Sequence, residues 1–202
     1  MALQDEHGFF RITGRYKELI IGAGGENVAP VPLENFLKTH IDASTGRSFG
    51  ISDAMMVGDK RKYNVCLITL KAKGHTGDLP GGDELDGDAL LVNPAVTTIR
   101  CVIECCSVLD VLVLFMLDVW SARLRNSGAM NDPVWREHLT AAITAVNSDQ
   151  EACPSNASKI QKFAILPRNF SVQGGELTPT FKLKRQFVEG QYEAVVEGLY
   201  GA

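Results

Sequence analysis

Apolar and polar positions along this chain fall into short alternating runs and a few helical stripes, with glycine and proline between them. Phe9 to Gly14 alternates as a short strand ending at a glycine turn, and Glu18-Leu19-Ile20-Ile21 reads as a second strand. Gly22-Ala23-Gly24-Gly25-Glu26-Asn27 is a loop by composition. Pro32 opens a helix, with Leu33, Phe36 and Leu37 on one face. Asp42 to Gly50 is polar and reads as a surface loop. Ala54 to Gly58 and Tyr63 to Leu70 are strands on either side of the basic turn Lys60-Arg61-Lys62, and are expected to pair as a hairpin. Lys73 to Asp88 is rich in Gly, Asp and Pro and reads as a solvated loop. Asp132 caps a second helix that starts at Pro133 and runs to about Val146. Lys162 to Ile165 is a strand stopped by Pro167. Phe187 to Leu199 carries a helical stripe of Val188, Tyr192, Val195, Val196 and Leu199. Loosely mixed helices and strands of this kind predict an α+β or α/β sandwich of modest size.

Residues 90 to 120 break the pattern. A membrane-spanning helix needs about 20 predominantly apolar residues. The longest uninterrupted apolar run, Val111 to Leu117, is far shorter, and Glu104, Asp110 and Asp118 interrupt the stretch. Three readings stand: a buried or partner-facing helix, a membrane contact through 98–120, or residues that are not native coding sequence.

Composition narrows the classes. The chain has 202 residues, 45% of them hydrophobic and 22% charged, which describes a globular chain. A net charge of −4 argues against non-specific nucleic-acid binding, which requires a basic surface. Cys66, Cys101, Cys105, Cys106 and Cys153 are odd in number and bunched, unlike a disulfide framework, and fit a reducing compartment. No histidine stands near the cysteine cluster to complete a metal site. Met1 to His7 has no basic region followed by an apolar core, so no secretory leader is expected. The location is read as intracellular, either cytoplasmic or peripheral on a membrane.

Two longer motifs carry chemistry. The first runs from Gly14-Arg15-Tyr16-Lys17 through Gly24-Gly25-Glu26-Asn27 to Pro30, and the second from Gly174-Gly175-Glu176-Leu177 through Thr178-Pro179-Thr180-Phe181 to Lys182-Leu183-Lys184-Arg185. A lysine-arginine run alone is usually a solvated face. A dinucleotide fingerprint is a poor fit, because its third glycine would fall on Asn27. Taken together, the motifs resemble those of the C-terminal domain of acyl-activating, adenylate-forming enzymes, most nearly long-chain fatty acyl-CoA synthetases of the bubblegum type. The resemblance covers about residues 5 to 70 and 132 to 195.

It implies a small α+β lid domain, with a short β-hairpin, then a small sheet packed with helices, and an atypical apolar insertion. It implies that one lysine of the second motif supplies positive charge for acyl-adenylate formation. The favoured, ungapped register puts that lysine at Lys184; the alternative, a gapped register, puts it at Lys182. Arg15 would approach the nucleotide and Lys17 would be the hinge of the moving domain. Gly24, Gly25, Glu26 and Asn27 would line the CoA channel, where glycine permits close approach of a ligand chain. Glu34 matches the acidic residue that begins the family's first helix. Residues 1–17 would then be the end of the inter-domain connection, 18–89 the first part of the domain, 90–131 the insertion, and 132–202 the second part. The resemblance implies the reaction of fatty acid, ATP and CoA to acyl-CoA, AMP and pyrophosphate. The fatty-acid tunnel, adenine pocket and Mg2+-binding acid would lie in a larger N-terminal domain outside these residues, leaving this part alone inactive and without metal. The alternative is a stand-alone, non-catalytic interaction module derived from such a domain.

Overall fold

The computed structural model describes residues 2–4, 8–12, 18–42, 45–100 and 128–201. Arg15, Lys17 and most of the apolar stretch, including Val111 to Leu117, lie outside the described residues.

Two strands, β1 (Ala2–Gln4) and β2 (Phe10–Ile12), pair antiparallel at the start of the chain. A two-residue hairpin follows, β3 (Ile20–Ile21) and β4 (Asn27–Val28), closing on the glycine loop. Helix α1 (Pro30–Thr39) begins two residues earlier than the pattern predicts, because Pro30 already suits the first helical turn. Its Leu33 and Leu37 are buried as expected, and so is Glu34. The predicted surface loop takes part in a small antiparallel hairpin, β5 (Ile41–Asp42) and β6 (Arg47–Ser48).

The central sheet has three strands in the order β7 (Ile51–Val57), β8 (Asn64–Leu70), β9 (Ile160–Ile165). β7 and β8 form the expected antiparallel hairpin. β9 returns from the far half of the chain to lie parallel to β8. Every residue of β8 is buried, the polar Asn64 and Thr69 included, so the strand shows no alternation between core and solvent.

Successive side chains of a strand point to opposite faces, and each face here has its own cover. On one face Met56, Cys66, Ile68 and Leu70 pack with Leu33 and Leu37 of α1 and with Trp135, Leu139 and Val146 of α3 (Pro133–Ser148). On the other, Met55, Val57, Val65 and Leu67 meet Val188, Tyr192 and Val196. Asp132 caps α3 as predicted, accepting the Trp135 N–H at 2.9 Å.

Over the described residues after β8, up to Arg100, the chain is less free than its composition suggests. Ala72 bridges Leu85, both are buried, and a short helix α2 (Asp88–Val92) follows. Val96 and Ile99 are buried in the same core as Trp135. Among the described residues no helix is long and apolar enough to cross a membrane. The predicted C-terminal helix is two, α4 (Arg185–Gln191) and α5 (Glu193–Gly201). The chain leaves helical geometry at Tyr192 (φ −109°, ψ 23°), yet Val188, Tyr192 and Val196 keep their apolar faces on the sheet.

Candidate functional site

The lysine motif forms a hairpin that projects after β9. Gly174 and Gly175 make the approach turn, Gly174 N–H donating to Ser171 Oγ at 2.9 Å, and Gly175 takes φ +90°. Glu176 is buried and accepts the Ser171 N–H at 3.2 Å. Leu177 bridges Leu183 across the hairpin. Its tip is a turn in which Phe181 N–H donates to the Thr178 carbonyl at 2.8 Å, with Pro179 at the second position. Thr178 N–H then donates to the Lys182 carbonyl at 2.9 Å, with Phe181 left-handed at φ +56°. Glycine normally fills that place in a three-residue hairpin loop. The Phe181 ring lies over Gly77, where a Cβ would come within 2.9 Å of it.

Lys182 is exposed at the tip and lines a cavity of about 700 Å³ beneath the hairpin. Lys184 stands at the base. Its N–H donates to the Glu176 carbonyl at 2.9 Å, and its exposed ammonium lies 5.8 Å from the centre of the Phe187 ring. Arg185 turns inward and forks onto Glu34 of α1, at 2.6 Å to Oε1 and 2.7 Å to Oε2. Glu34 Oε1 also accepts the Met56 N–H of β7 at 2.8 Å. Burial is the largest single influence and works against the Arg185 charge, but the hydrogen bonds to Glu34 and the attraction of the Glu34 and Glu18 charges together hold the guanidinium above its ordinary pKa.

Lys38, Asp53 and His75 also line the cavity. Asp53 Oδ2 is buried without a hydrogen-bond partner. Burial pushes the Asp53 carboxyl above the usual range, against the opposing pull of Lys38 and His75. His75 Nε2 is 3.2 Å from the Phe170 carbonyl and Nδ1 is 3.1 Å from Ser52 Oγ. A carbonyl only accepts, so Nε2 carries the hydrogen and, in the neutral ring, Nδ1 accepts from Ser52.

The glycine loop sits elsewhere. Gly24, Gly25, Glu26 and Asn27 are all exposed, and none lines this cavity. Gly22 N–H donates to the Glu26 carbonyl at 3.1 Å, and Gly25 takes φ +83°. The basic turn buttresses the loop: Ala23 N–H donates to the Arg61 carbonyl at 2.9 Å, and Lys60 N–H to the Ile21 carbonyl at 2.7 Å. Around the hairpin cavity the structure therefore gathers Lys182 and Glu34 with Arg185, which sequence reasoning had taken only as one charge of a basic run. Asp53 and His75 were missed because each sits singly in its segment and is joined only by folding.

The chain is homologous to part of the bubblegum-type long-chain-fatty-acid–CoA ligases. It is 38% identical over 196 residues to long-chain-fatty-acid–CoA ligase ACSBG2 of Gallus gallus, covering 97% of this chain and 22% of that protein. It is 36% identical over 200 residues to ACSBG1 of Homo sapiens, covering 97% of this chain and 23% of that protein. The chain thus spans less than a quarter of the length of these relatives. No family model matches it. Among solved structures it is similar to the A domain of a carboxylic acid reductase from Segniliparus rugosus, in complex with AMP and a co-purified carboxylic acid. That likeness has a TM-score of 0.53 at 16% identity, over 99% of this chain and 22% of the other. The adenylation domain of a carboxylate reductase from Mycobacterium chelonae aligns with a TM-score of 0.50 at 17% identity, over 98% of this chain and 24% of the other. These likenesses give the fold alone, a mixed α+β domain with small sheets packed by helices.

Proposed function

From this homology to the bubblegum-type long-chain-fatty-acid–CoA ligases we propose that the chain is the C-terminal lid of an ATP-dependent fatty acyl-CoA ligase. In the first half-reaction the fatty carboxylate attacks the α-phosphorus of ATP, giving acyl-adenylate and releasing pyrophosphate. In the second the CoA thiolate attacks the acyl carbonyl, giving acyl-CoA and AMP. The observation that carries the reading is the sequence identity spanning 97% of this chain, lysine hairpin and glycine loop included.

Two anions meet in the first step, so a cation held in advance where charge develops lowers the barrier. What supports Lys182 as that cation is its position at the hairpin tip, free to enter a site built by the rest of the enzyme. The ungapped register names Lys184, whose exposed ammonium starts instead from the hairpin base beside Phe187. Gly24, Gly25, Glu26 and Asn27 form an exposed, Cβ-poor edge suited to a pantetheine chain. Arg15 would contact the nucleotide, and Lys17 would be the pivot on which the lid turns between half-reactions, a gating use of one domain. The domain division at 1–17, 18–89, 90–131 and 132–202 belongs to this reading, as does an intracellular, cytoplasmic or membrane-peripheral setting.

The described residues do not fit a Mg2+ site. They contain no cluster of three His, Cys, Asp or Glu side chains able to hold a metal, and Glu34 is committed to Arg185. No step is therefore routed through a metal here.

The test exchanges this chain for the matching stretch of the Gallus gallus ligase and measures ATP–pyrophosphate exchange. Lys182→Ala is expected to lower exchange by about 10²–10³, with Lys184→Ala within a few-fold of the parent. The reverse pattern assigns the role to Lys184. Loss in neither variant removes the lysine hairpin from the chemistry.

A further inference from the structure

Arg185 and Glu34 stand 151 positions apart in sequence, yet they meet as a forked, mostly buried ion pair directly behind the lysine hairpin. The placement is specific. Arg185 is the first residue of α4, immediately after the hairpin strand that carries Lys182 and Lys184. Glu34 is held on two sides, by its place in α1 and by the Met56 N–H of β7. A planar guanidinium bound through two nitrogens to a fixed carboxylate cannot rotate or slide without losing a bond. On its other side the hairpin base is tied by Lys184 N–H to the Glu176 carbonyl, and Glu176 in turn accepts the Ser171 N–H. The tip has no such ties. Thr178, Thr180, Phe181 and Lys182 are bound to one another, and the Phe181 ring lies over Gly77.

We propose that the Glu34–Arg185 pair is a positioning clamp for the lysine hairpin: it fixes the hairpin base to the sheet and α1, and through that base sets where the Lys182 ammonium is presented. Arg185 acts through Lys182 and touches no substrate. The inference deepens the ligase reading and rests on it for its catalytic half. Its structural half stands on the geometry alone. In the ligase, loosening the clamp misplaces the cation in the adenylation step. The second half-reaction begins from the finished acyl-adenylate and uses the glycine loop, which is buttressed separately by the Lys60–Arg61 turn.

Two measurements decide it. On this chain, hydrogen–deuterium exchange is followed in the parent, Arg185→Gln, Arg185→Lys and Glu34→Gln. The clamp predicts that Arg185→Gln speeds exchange about tenfold in peptides covering 176–184 and leaves β8 and α3 at parental rates. Arg185→Lys, which keeps charge but lacks the fork, is expected between the two. Uniform acceleration over the whole chain would mean a general stabiliser and overturn the clamp, as would no change at 176–184. In the exchanged Gallus gallus ligase, Arg185→Gln is expected to lower kcat of pyrophosphate exchange by about 10²-fold, the scale of a small misplacement. KM for ATP and the rate of thioester formation from added acyl-adenylate should hold. Glu34→Gln combined with Arg185→Gln should lose no more than the worse single variant. Equal loss in both half-reactions overturns the positioning role. If Lys182→Ala and Lys184→Ala both leave pyrophosphate exchange intact, the ligase reading and the catalytic half of the clamp fall together. If Lys182→Ala abolishes exchange while Arg185→Gln does not, the clamp alone is wrong.

Discussion

Single residues in this fold carry strain and charge that their neighbours alone make tolerable. Gly50 takes φ +72°, and a Cβ there would lie 2.9 Å from the backbone of Ala89 in α2. Gly50→Ala therefore combines a left-handed side chain with a backbone clash. It is expected to cost about 1–3 kcal/mol, read as a lower urea midpoint; an unchanged midpoint would contradict the packing of α2 on the sheet. Asp53 poses an electrostatic case. Burial pushes its carboxyl above the ordinary value, so the fold prefers the protonated form. Below the unfolded-state value of about 3.9 both states are neutral and the group costs nothing. As pH rises through the higher folded value, the buried charge lowers stability. Asp53→Asn is thus expected to leave Tm unchanged at about pH 3 and to raise it near pH 7. Equal shifts at both pH values would show that ionisation is not the cause.

At the scale of elements, the caps and turns explain where each segment stops. Asp132 does more than cap α3: Asn93 Nδ2 also donates to both of its oxygens, each at 3.2 Å, so it ties the helix start to the loop after α2. An N-cap aspartate to alanine change costs about 0.5–2 kcal/mol. Asp132→Ala is expected at the upper end, because Asn93 is left without its acceptors. Asn93→Ala alone should cost less, and equal losses in thermal melts would contradict that order. The break at Tyr192 has no proline behind it. It lets α5 turn so that Tyr200 Oη donates to the Val57 and Tyr63 carbonyls, at 3.1 and 3.0 Å, while Tyr63 Oη donates to the Leu199 carbonyl at 3.0 Å. Arg61 of the basic turn pairs with Glu197 of α5 beside these contacts. That pair is exposed and screened by solvent, so the tyrosine contacts and the buried Val196 hold α5 in place.

At the scale of the molecule, the stretches on either side of the apolar run share one sheet. β7 and β8 come from residues before the apolar stretch and β9 from residues after it, and both cores run across this joint sheet. A chain ending at Arg100 would leave β8 without its parallel partner, one face without α3 and the other without α4 and α5. It is expected to show no cooperative thermal transition by circular dichroism, whereas the full chain shows one. A sharp transition in the shortened chain would mean that 18–89 folds as an independent unit.

Local order was legible before folding. Pro32 with Leu33 and Leu37, Asp132 ahead of Pro133, and the basic turn between two apolar runs each announce their element within a few residues, because caps, turns and periodicity are short-range. The chemistry-bearing motifs were legible as motifs for the same reason. Partnership was not. Nothing near Arg185 names Glu34, nothing near His75 names Phe170, and an apolar run such as β8 does not say that its second neighbour is parallel and nearly a hundred residues away. Those choices follow from burying both faces of one small sheet, a condition imposed by the whole chain. The same condition brings the hairpin base onto α1 and leaves Lys182 at the tip and Lys184 below it.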